Sequence, residues 1–196
     1  GNRVTFTTPK AATPVWRGLP SADDAGPRAI LSYLDAYGPA TVDGFSNWLS
    51  RGRIPKRRLR EWFGAVSERL VEVDVDGTRA YVRAEHIDDL ARTPSPASPI
   101  VRLLPGFDQW VLGPGTEDPH VLPPARRGAV SRQSGWIAPV VLVDGVVGGT
   151  WELNGDAVRV AWFAESGPAP ETALHAEGRR LAGILGRDLH VETVRA

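Results

Sequence analysis

The chain has 196 residues, of which 42% are hydrophobic and 23% charged, with no net charge at pH 7 and no cysteine. This composition indicates one or two globular domains and excludes a disordered chain, a fibre, a disulfide framework and a thiolate metal site. No apolar run approaches the roughly 18 residues of a membrane helix, and the polar opening Gly1-Asn2-Arg3 is no signal peptide, so we expect no membrane partner and a cytoplasmic location.

The first half has the periodicity of helices. Apolar residues from Pro27 to Tyr37 predict an amphipathic helix, ended by Gly38 in the left-handed conformation. Thr41 is expected to cap a second helix, and Pro55 to begin a third. The apolar residues predicted to face inward are Ile30, Leu31, Leu34, Tyr37, Val42, Phe45, Trp48, Leu49, Leu59, Trp62, Phe63, Val66 and Leu70.

A hairpin follows the three helices. Asp76-Gly77 separates two alternating segments and predicts a tight turn between strands 71–75 and 79–83. Three helices, with a glycine-containing turn before the third, and then a hairpin are the order of a winged helix-turn-helix. We predict such a domain over residues 1–92, with an N-terminal extension, and a proline-rich linker over residues 93–99.

Residues 100–196 are predicted to form a β-rich C-terminal domain. Turns at Asp144-Gly145 and Asn154-Gly155 predict a three-stranded meander from Ile137 to Phe163. A helix over residues 170–185 covers one face, and a strand from Leu189 to Val194 closes the sheet. The fold class is therefore α+β: a winged helix-turn-helix followed by a mainly antiparallel β domain with one covering helix.

Positive charge is concentrated between residues 51 and 60. This segment has no acid and carries six basic residues, namely Arg51, Arg53, Lys56, Arg57, Arg58 and Arg60. A winged helix presents this turn and helix to DNA, and cations at the positive end of a helix indicate an external anion. We predict that they bind DNA; the alternative is a solvated face balanced by Glu61 and Glu68.

Two smaller basic sets extend this prediction. Arg79 and Arg83 share one face of the second hairpin strand and are expected to contact phosphate. The other set lies in the irregular segment before the meander, where an ordinary solvated loop is the alternative: Arg126, Arg127 and Arg132. Every basic residue except Lys10 and Lys56 is arginine, whose planar fork suits phosphate and guanine, although GC-rich codon usage gives the same excess.

Motifs of catalysis and metal binding are absent from the sequence. The four histidines lie far apart without metal-ligand spacing, and there is neither a phosphate-binding P-loop nor a nucleophile elbow. We therefore predict no catalytic residue, no metal and no cofactor in this chain.

Three separated blocks carry a family resemblance. They are Tyr33-Leu34-Asp35-Ala36-Tyr37-Gly38-Pro39-Ala40-Thr41 with Phe45, Trp48 and Leu49; Arg102-Leu103-Leu104-Pro105-Gly106-Phe107-Asp108; and Pro139-Val140-Val141-Leu142-Val143-Asp144-Gly145 with Gly149-Thr150-Trp151. In this order they resemble a bacterial winged-helix DNA-binding family that includes the AlkZ/YcaQ-type DNA glycosylases. The resemblance spans nearly the whole chain.

Characterised members of that family excise alkylated bases and unhook interstrand crosslinks. The resemblance implies tandem winged helices and a β domain that form a channel for duplex DNA. It also implies that the chain is the C-terminal portion of a longer protein, which agrees with the lack of methionine. The family's catalytic pair of polar residues, usually glutamines around an aliphatic residue, matches neither Gln109 nor Gln133, so no catalytic residue is carried over.

These observations predict a duplex-DNA-binding winged-helix protein. We expect it to be part of a DNA-repair glycosylase for alkylated bases or crosslinks, with the catalytic region absent from this chain. One alternative is a non-catalytic protein-interaction or transcription-regulatory module, whose basic helix pairs with acids of its own chain. The other is an enzyme complete in these residues.

Overall fold

The computed structural model of this protein describes residues 5–92 and 97–196, so residues 93–96 of the predicted linker and residues 1–4 of the predicted extension lie outside the described residues. The elements before the linker are α1 (Pro9–Ala12), α2 (Ala22–Tyr37), α3 (Val42–Ser50), α4 (Lys56–Ala65), β1 (Leu70–Val75), β2 (Thr78–Arg83) and α5 (Ile87–Arg92). Those after it are β3 (Val101–Leu104), α6 (Gln109–Leu112), α7 (Arg127–Val130), β4 (Val140–Val143), β5 (Val146–Asn154), β6 (Ala157–Trp162), α8 (Glu171–Leu185) and β7 (His190–Arg195).

Helix α2 begins five residues before the predicted start at Pro27. Ser21 caps it by accepting a hydrogen bond from the Asp24 N–H, with two acids in the first turn. The helix continues through Pro27, whose ring nitrogen cannot donate a backbone hydrogen bond to the preceding turn. Gly38 is extended, with φ −75°, and not left-handed as predicted. Glycine is needed there because a Cβ would lie 2.6 Å from the Leu34 carbonyl oxygen.

The cap of α3 is confirmed, since Thr41 Oγ1 accepts a hydrogen bond from the Gly44 N–H at 2.9 Å. The inward face of α3 differs from the prediction. Phe45 is fully buried, but the buried stripe turns toward Ser46, which leaves Trp48 and Leu49 about two fifths exposed. Helix α4 begins at Lys56, so that Pro55 takes the cap position without a side-chain hydrogen bond.

The hairpin between β1 and β2 is confirmed with its predicted turn. Asp76 and Gly77 both have positive φ, 52° and 80°, and Val75 pairs with Thr78. The hairpin is joined to the α2–α3 turn by two backbone hydrogen bonds between Ala40 and Tyr81. Its inner face closes the core of the three helices, whose most buried members are Ile30, Tyr33, Leu34 and Phe45.

The second part is built on a five-stranded mixed sheet in the order β3-β4-β5-β6-β7. The first three pairings are antiparallel, whereas β7 lies parallel to β6 after a crossover through α8. Strand β3 is an addition to the predicted meander. The predicted strand from Ile137 begins only at Val140, because Pro139 cannot donate to the ladder. Asn154 pairs with Ala157, so the second turn is Gly155-Asp156.

The sheet has an apolar core on each face. Helix α8 covers one face with Leu174, as predicted, and the irregular segment from α6 to residue 138 covers the other with Val111, Leu122 and Val130. Helix α8 also carries the buried Glu177, whose Oε1 accepts the Leu103 N–H at 3.0 Å. In the described ranges, no helix has both the length and the apolar character needed to cross a membrane.

Among the described residues, the contacts between the two parts include two close ones. Gly113, after α6, lies under the Tyr37 ring so closely that a Cβ there would be 2.1 Å from a ring carbon. His120 Nε2 lies 3.2 Å from Asp76 Oδ2 at the hairpin turn. These contacts fix the hairpin and the end of α2 against the β-rich part.

Candidate nucleic-acid interface

The α3–α4 turn exposes its basic side chains because its backbone is fixed locally. Arg51 ends α3 in the left-handed region, with φ 55°, and its N–H donates to the Asn47 carbonyl at 2.8 Å. The Arg53 N–H donates to Ser50 Oγ at 3.0 Å. Ile54 packs against the helical core, which leaves the side chains of Arg51 and Arg53 in solvent.

Helix α4 is amphipathic, with Leu59, Trp62 and Phe63 buried in the helical core. Its exposed side carries the basic residues Lys56, Arg57, Arg58 and Arg60. No side chain caps the helix, so its first amide N–H groups have no side-chain acceptor among the described residues. Free N–H groups and the positive end of the helix dipole favour a bound anion such as phosphate.

Two of the six predicted contact residues in this segment are paired within the chain. Arg57 Nη1 lies 2.8 Å from Glu61 Oε1 one turn along α4, and Arg58 Nε lies 3.6 Å from Asp23 Oδ1. Exposed pairs of this kind are weak and exchange readily with other partners. The other four have no ion pair with any described residue: Arg51, Arg53, Lys56 and Arg60. The alternative of an interaction module predicts that these basic residues pair with acids of their own chain. Among the described residues, two of the six do so and four do not.

A groove runs between α4 and the β1–β2 hairpin, with a volume of about 580 Å³. Its floor is apolar and consists of Leu59, Phe63, Leu70 and Tyr81. Charges of both signs stand around it, Lys56 and Arg60 from α4, Asp43 from α3 and Glu72 from β1. The basic surface is therefore strongest at the N-terminal end of α4 and in the turn before it.

The two predicted hairpin arginines have different surroundings. Arg79 is exposed, forms an ion pair with Glu72 across the hairpin, and lies over the Tyr81 ring at 5.7 Å. Arg83 is only 12% exposed and forms ion pairs with Asp35 and Glu85. Its Nε is buried without a hydrogen-bond partner. Arg83 therefore ties the hairpin to α2, and its charge is neutralised inside the first part of the chain.

His86 completes this cluster, with Nε2 at 3.0 Å from Asp35 Oδ1. Burial would raise the pKa of Asp35, but hydrogen bonds from His86 and Arg83 outweigh it and lower that pKa. Asp35, Glu85 and His86 also have the spacing of metal ligands. The guanidinium of Arg83 is ion-paired to both carboxylates, so an internal cation already balances their charge.

The third predicted set is mostly paired. Arg126 binds Glu165 through two hydrogen bonds and lies over the Phe163 ring at 4.7 Å. The hydrogen bond from Arg126 is the main reason that the pKa of Glu165 falls to about 2. Arg127 pairs with Glu117 at 3.0 Å. Arg132 makes only a backbone contact, from Nε to the Ala129 carbonyl.

The two glutamines lie at the starts of two different short helical turns. Gln109 begins α6 and lines a cavity of about 630 Å³ beside Tyr37 and Trp110, whereas Gln133 begins the 3-10 turn Gln133–Gly135. Asp108 caps α6 by accepting the Trp110 N–H at 2.8 Å, which is a structural role. The Asp35–Arg83 pair and the contact of Tyr37 with Gly113 were missed from sequence, because each joins residues far apart in the chain.

Three comparisons with known proteins find similarity to the same family. The family model described as DNA glycosylase AlkZ-like matches residues 2–184. An interstrand DNA cross-link repair glycosylase of Streptomyces sahachiroi is 46% identical over 187 residues, 95% of this chain and 50% of that protein. The solved structure of Streptomyces sahachiroi DNA glycosylase AlkZ is similar with a TM-score of 0.90 and 43% identity, over 96% of this chain and 51% of that one. The chain spans about half the length of these relatives.

Proposed function

The chain belongs to the AlkZ-like DNA glycosylase family, and on that premise we propose that it binds duplex DNA as part of a DNA-repair glycosylase for alkylated bases or crosslinks. The family is the one to which the three sequence blocks pointed. In this proposal residues 5–92 act as a winged helix, with α4 and the turn before it against the DNA. The β-rich part from residue 97 forms a further wall of the DNA channel.

The observation that carries the proposal is the uncapped N-terminus of α4 with four unpaired cations around it. Arg51, Arg53, Lys56 and Arg60 are exposed and meet no carboxylate of the described chain, so their charges are available to phosphate. Arg57, Arg58 and Arg79 are in exposed pairs that a phosphate can replace. Arg83 and Arg126 are left out of the proposed surface, because each is held by carboxylates in a largely covered position.

Contacts to phosphate orient a protein on the duplex without reading its sequence. Binding through the α4 surface is therefore expected to show little sequence preference. We also propose that base excision needs residues other than these 196, because Gln109 and Gln133 begin separate helical turns and do not form a pair around one aliphatic residue.

The experiment is fluorescence anisotropy of a labelled random duplex over a salt series. Log affinity is expected to fall with log salt at about −0.9 for each phosphate contact, so four contacts give a slope of about −3.6. Replacing Arg53 and Arg60 together by alanine should make the slope shallower by about 1.8. Arg179→Ala is the matched control, since Arg179 is exposed on α8 far along the chain. Equal slopes for the double variant and the control would remove α4 from the interface.

A further inference from the structure

Two aromatic side chains outside the α4 surface form an exposed pair. The ring centroids of Phe107 and Trp136 are 5.1 Å apart, and the rings are nearly perpendicular, at 83°. Although the rings touch, Phe107 is 44% exposed and Trp136 is 52% exposed. Burial of the faces of an aromatic ring is energetically favourable. Two contacting rings that are each about half exposed can therefore bind a flat apolar partner.

The backbone holds Phe107 in place. Phe107 has φ 62°, in a left-handed region that bulky residues rarely adopt. The preceding Gly106 packs directly on the next loop, since a Cβ there would lie 2.8 Å from the Ile137 carbonyl oxygen. The exposure of the Phe107 ring is therefore imposed by a tightly packed turn.

The loop of Trp136 is closed on itself. The Arg132 N–H donates to the Trp136 carbonyl at 2.8 Å, and Ser131 and Ile137 pair as an antiparallel bridge below them. Ser134, at the tip, also has a positive φ of 62°. Trp136 thus stands on a short, hydrogen-bonded loop that projects it beside Phe107.

In its indole N–H, Trp136 differs from four of the other six tryptophans. Four tryptophans donate this N–H within the chain, namely Trp62 to Asp23, Trp110 to Gly145, Trp151 to Leu104 and Trp162 to Gly167. The indole N–H of Trp136 has no acceptor among residues 5–92 and 97–196. It is available to an external acceptor, such as a ring nitrogen, a carbonyl or a phosphate oxygen.

The segment that carries this loop has basic residues and no acid, although carboxylates from elsewhere in the chain pair with two of its three arginines. Residues 119–143 contain three arginines and neither Asp nor Glu. Arg126 and Arg127 are paired with carboxylates, but Arg132, next to the Trp136 carbonyl, is exposed and has no ion pair with a described residue. The nearest acid in sequence to Phe107 is Asp108, whose carboxylate is occupied in capping α6.

We propose that Phe107 and Trp136 stack on an unpaired nucleobase of DNA, while Arg132 pairs with the phosphate beside it. This site rests on the proposed function, because it requires DNA on the same molecule. An unpaired base offers a flat π face to the rings and acceptors to the indole N–H, and its backbone brings a phosphate within reach of an arginine. Base–aromatic stacking of this kind tolerates any base, in keeping with binding that lacks sequence preference.

The test compares two labelled DNA molecules that differ by one nucleotide, a continuous duplex and the same duplex with a bulged 2-aminopurine. Anisotropy gives the affinity of the 196-residue chain for each, and quenching of 2-aminopurine reports stacking. The wild-type chain is expected to prefer the bulged duplex and to quench its probe. Trp136→Ala is expected to lose about fivefold or more of that preference, while its affinity for the continuous duplex stays unchanged.

Three further variants serve as controls. Trp136→Phe keeps a ring and is expected to retain most of the preference, whereas Trp136→Leu keeps apolar volume without a ring and should lose it. Ile184→Ala removes another apolar side chain that is more than half exposed, on α8, and should change neither affinity. Circular dichroism melts identify any variant that does not fold, and the Phe and Leu variants then decide between a ring and mere bulk.

The outcomes separate this site from the proposed function. Equal binding of both DNA molecules by the wild-type chain, or equal preference in wild type and Trp136→Leu, overturns the stacking site and leaves duplex binding intact. If the wild-type chain binds neither DNA at low salt, the proposed function fails, and the stacking site fails with it.

Discussion

The imidazole Nε2 of His120 lies 3.2 Å from Asp76 Oδ2, so that the turn of the β1–β2 hairpin is held by a residue of the β-rich part. The other ring nitrogen, Nδ1, lies 3.0 Å from Asp118 Oδ1 in the same loop. One imidazole therefore connects two carboxylates that belong to the two parts of the chain.

The first prediction concerns the pH dependence of stability. Hydrogen bonding to Asp118, and then to Asp76, raises the pKa of His120 against a smaller opposing effect of burial. A raised folded-state pKa means that the stabilisation is complete below the unfolded value of about 6.5 and is lost as pH rises through the folded value. Melting temperature is expected to fall across this window in the wild type. The fall should be smaller in Asp76→Asn, which keeps a residue suited to positive φ, and a steeper fall there would contradict the contact.

The second prediction concerns Gly113 and Tyr37. A Cβ at Gly113 would lie 2.1 Å from the Tyr37 ring, so Gly113→Ala must displace that ring and should lower the free energy of unfolding by about 1–3 kcal/mol. Gly113→Ala combined with Tyr37→Ala should cost less than the sum of the two single changes, because the clash is gone. Urea denaturation gives the values. Gly128→Ala, with open space around its Cβ, is the control, and a loss there as large as at Gly113 would argue against close packing.

The third prediction concerns the buried Glu177. Burial alone would raise the pKa of this carboxyl, but hydrogen bonds from Arg180 and the Leu103 N–H lower it. Glu177→Ala leaves the buried Leu103 N–H without its acceptor and should cost about 1–3 kcal/mol in thermal or urea unfolding. Glu177→Gln keeps an acceptor oxygen and should cost less. Similar losses for both variants would mean that the charge, and not the hydrogen bond to Leu103, is what stabilises the fold.

The fourth prediction concerns Glu61, which pairs with Arg57 on the exposed side of α4. If α4 faces DNA, Glu61→Gln frees Arg57 and removes a negative charge, so duplex affinity at low salt should rise about twofold or more, the scale of an exposed ion pair. Glu171→Gln, an exposed acid in the first turn of α8, is the matched control for net charge. Equal gains in both variants would show that only overall charge matters.

Features set by neighbouring residues could be predicted from sequence. The cap at Thr41 and the turns at Asp76-Gly77 and Asp144-Gly145 depend on side chains and φ preferences within a few residues, and all three are present. The predicted start of α2 at Pro27 was wrong, because the prediction did not include the cap at Ser21. Strand β3 and the parallel pairing of β7 were missed, because pairing with distant strands leaves no local pattern.

The same limit applies to the candidate site. The exposure of the basic residues before and on α4 follows from the apolar stripe on the opposite side of the helix, which sequence shows directly. The burial of Arg83 depends on Asp35, which lies 48 residues earlier in the chain. The contact between Phe107 and Trp136 depends on the packing of Gly106 against Ile137. Neither loop has a sequence pattern that predicts which other loop it will contact.

The hydrogen bond from Leu103 to Glu177 has a consequence for self-association. Strand β3 is an edge of the sheet, and an open edge is a template on which a strand of another molecule can add. Here the amide of Leu103 is already taken by the buried carboxylate of Glu177 on α8, which also pairs with the exposed Arg180, and a second chain would have to displace that carboxylate to reach the amide. The helix that covers the sheet therefore also occupies one of the edge groups to which a strand of another copy would have to pair.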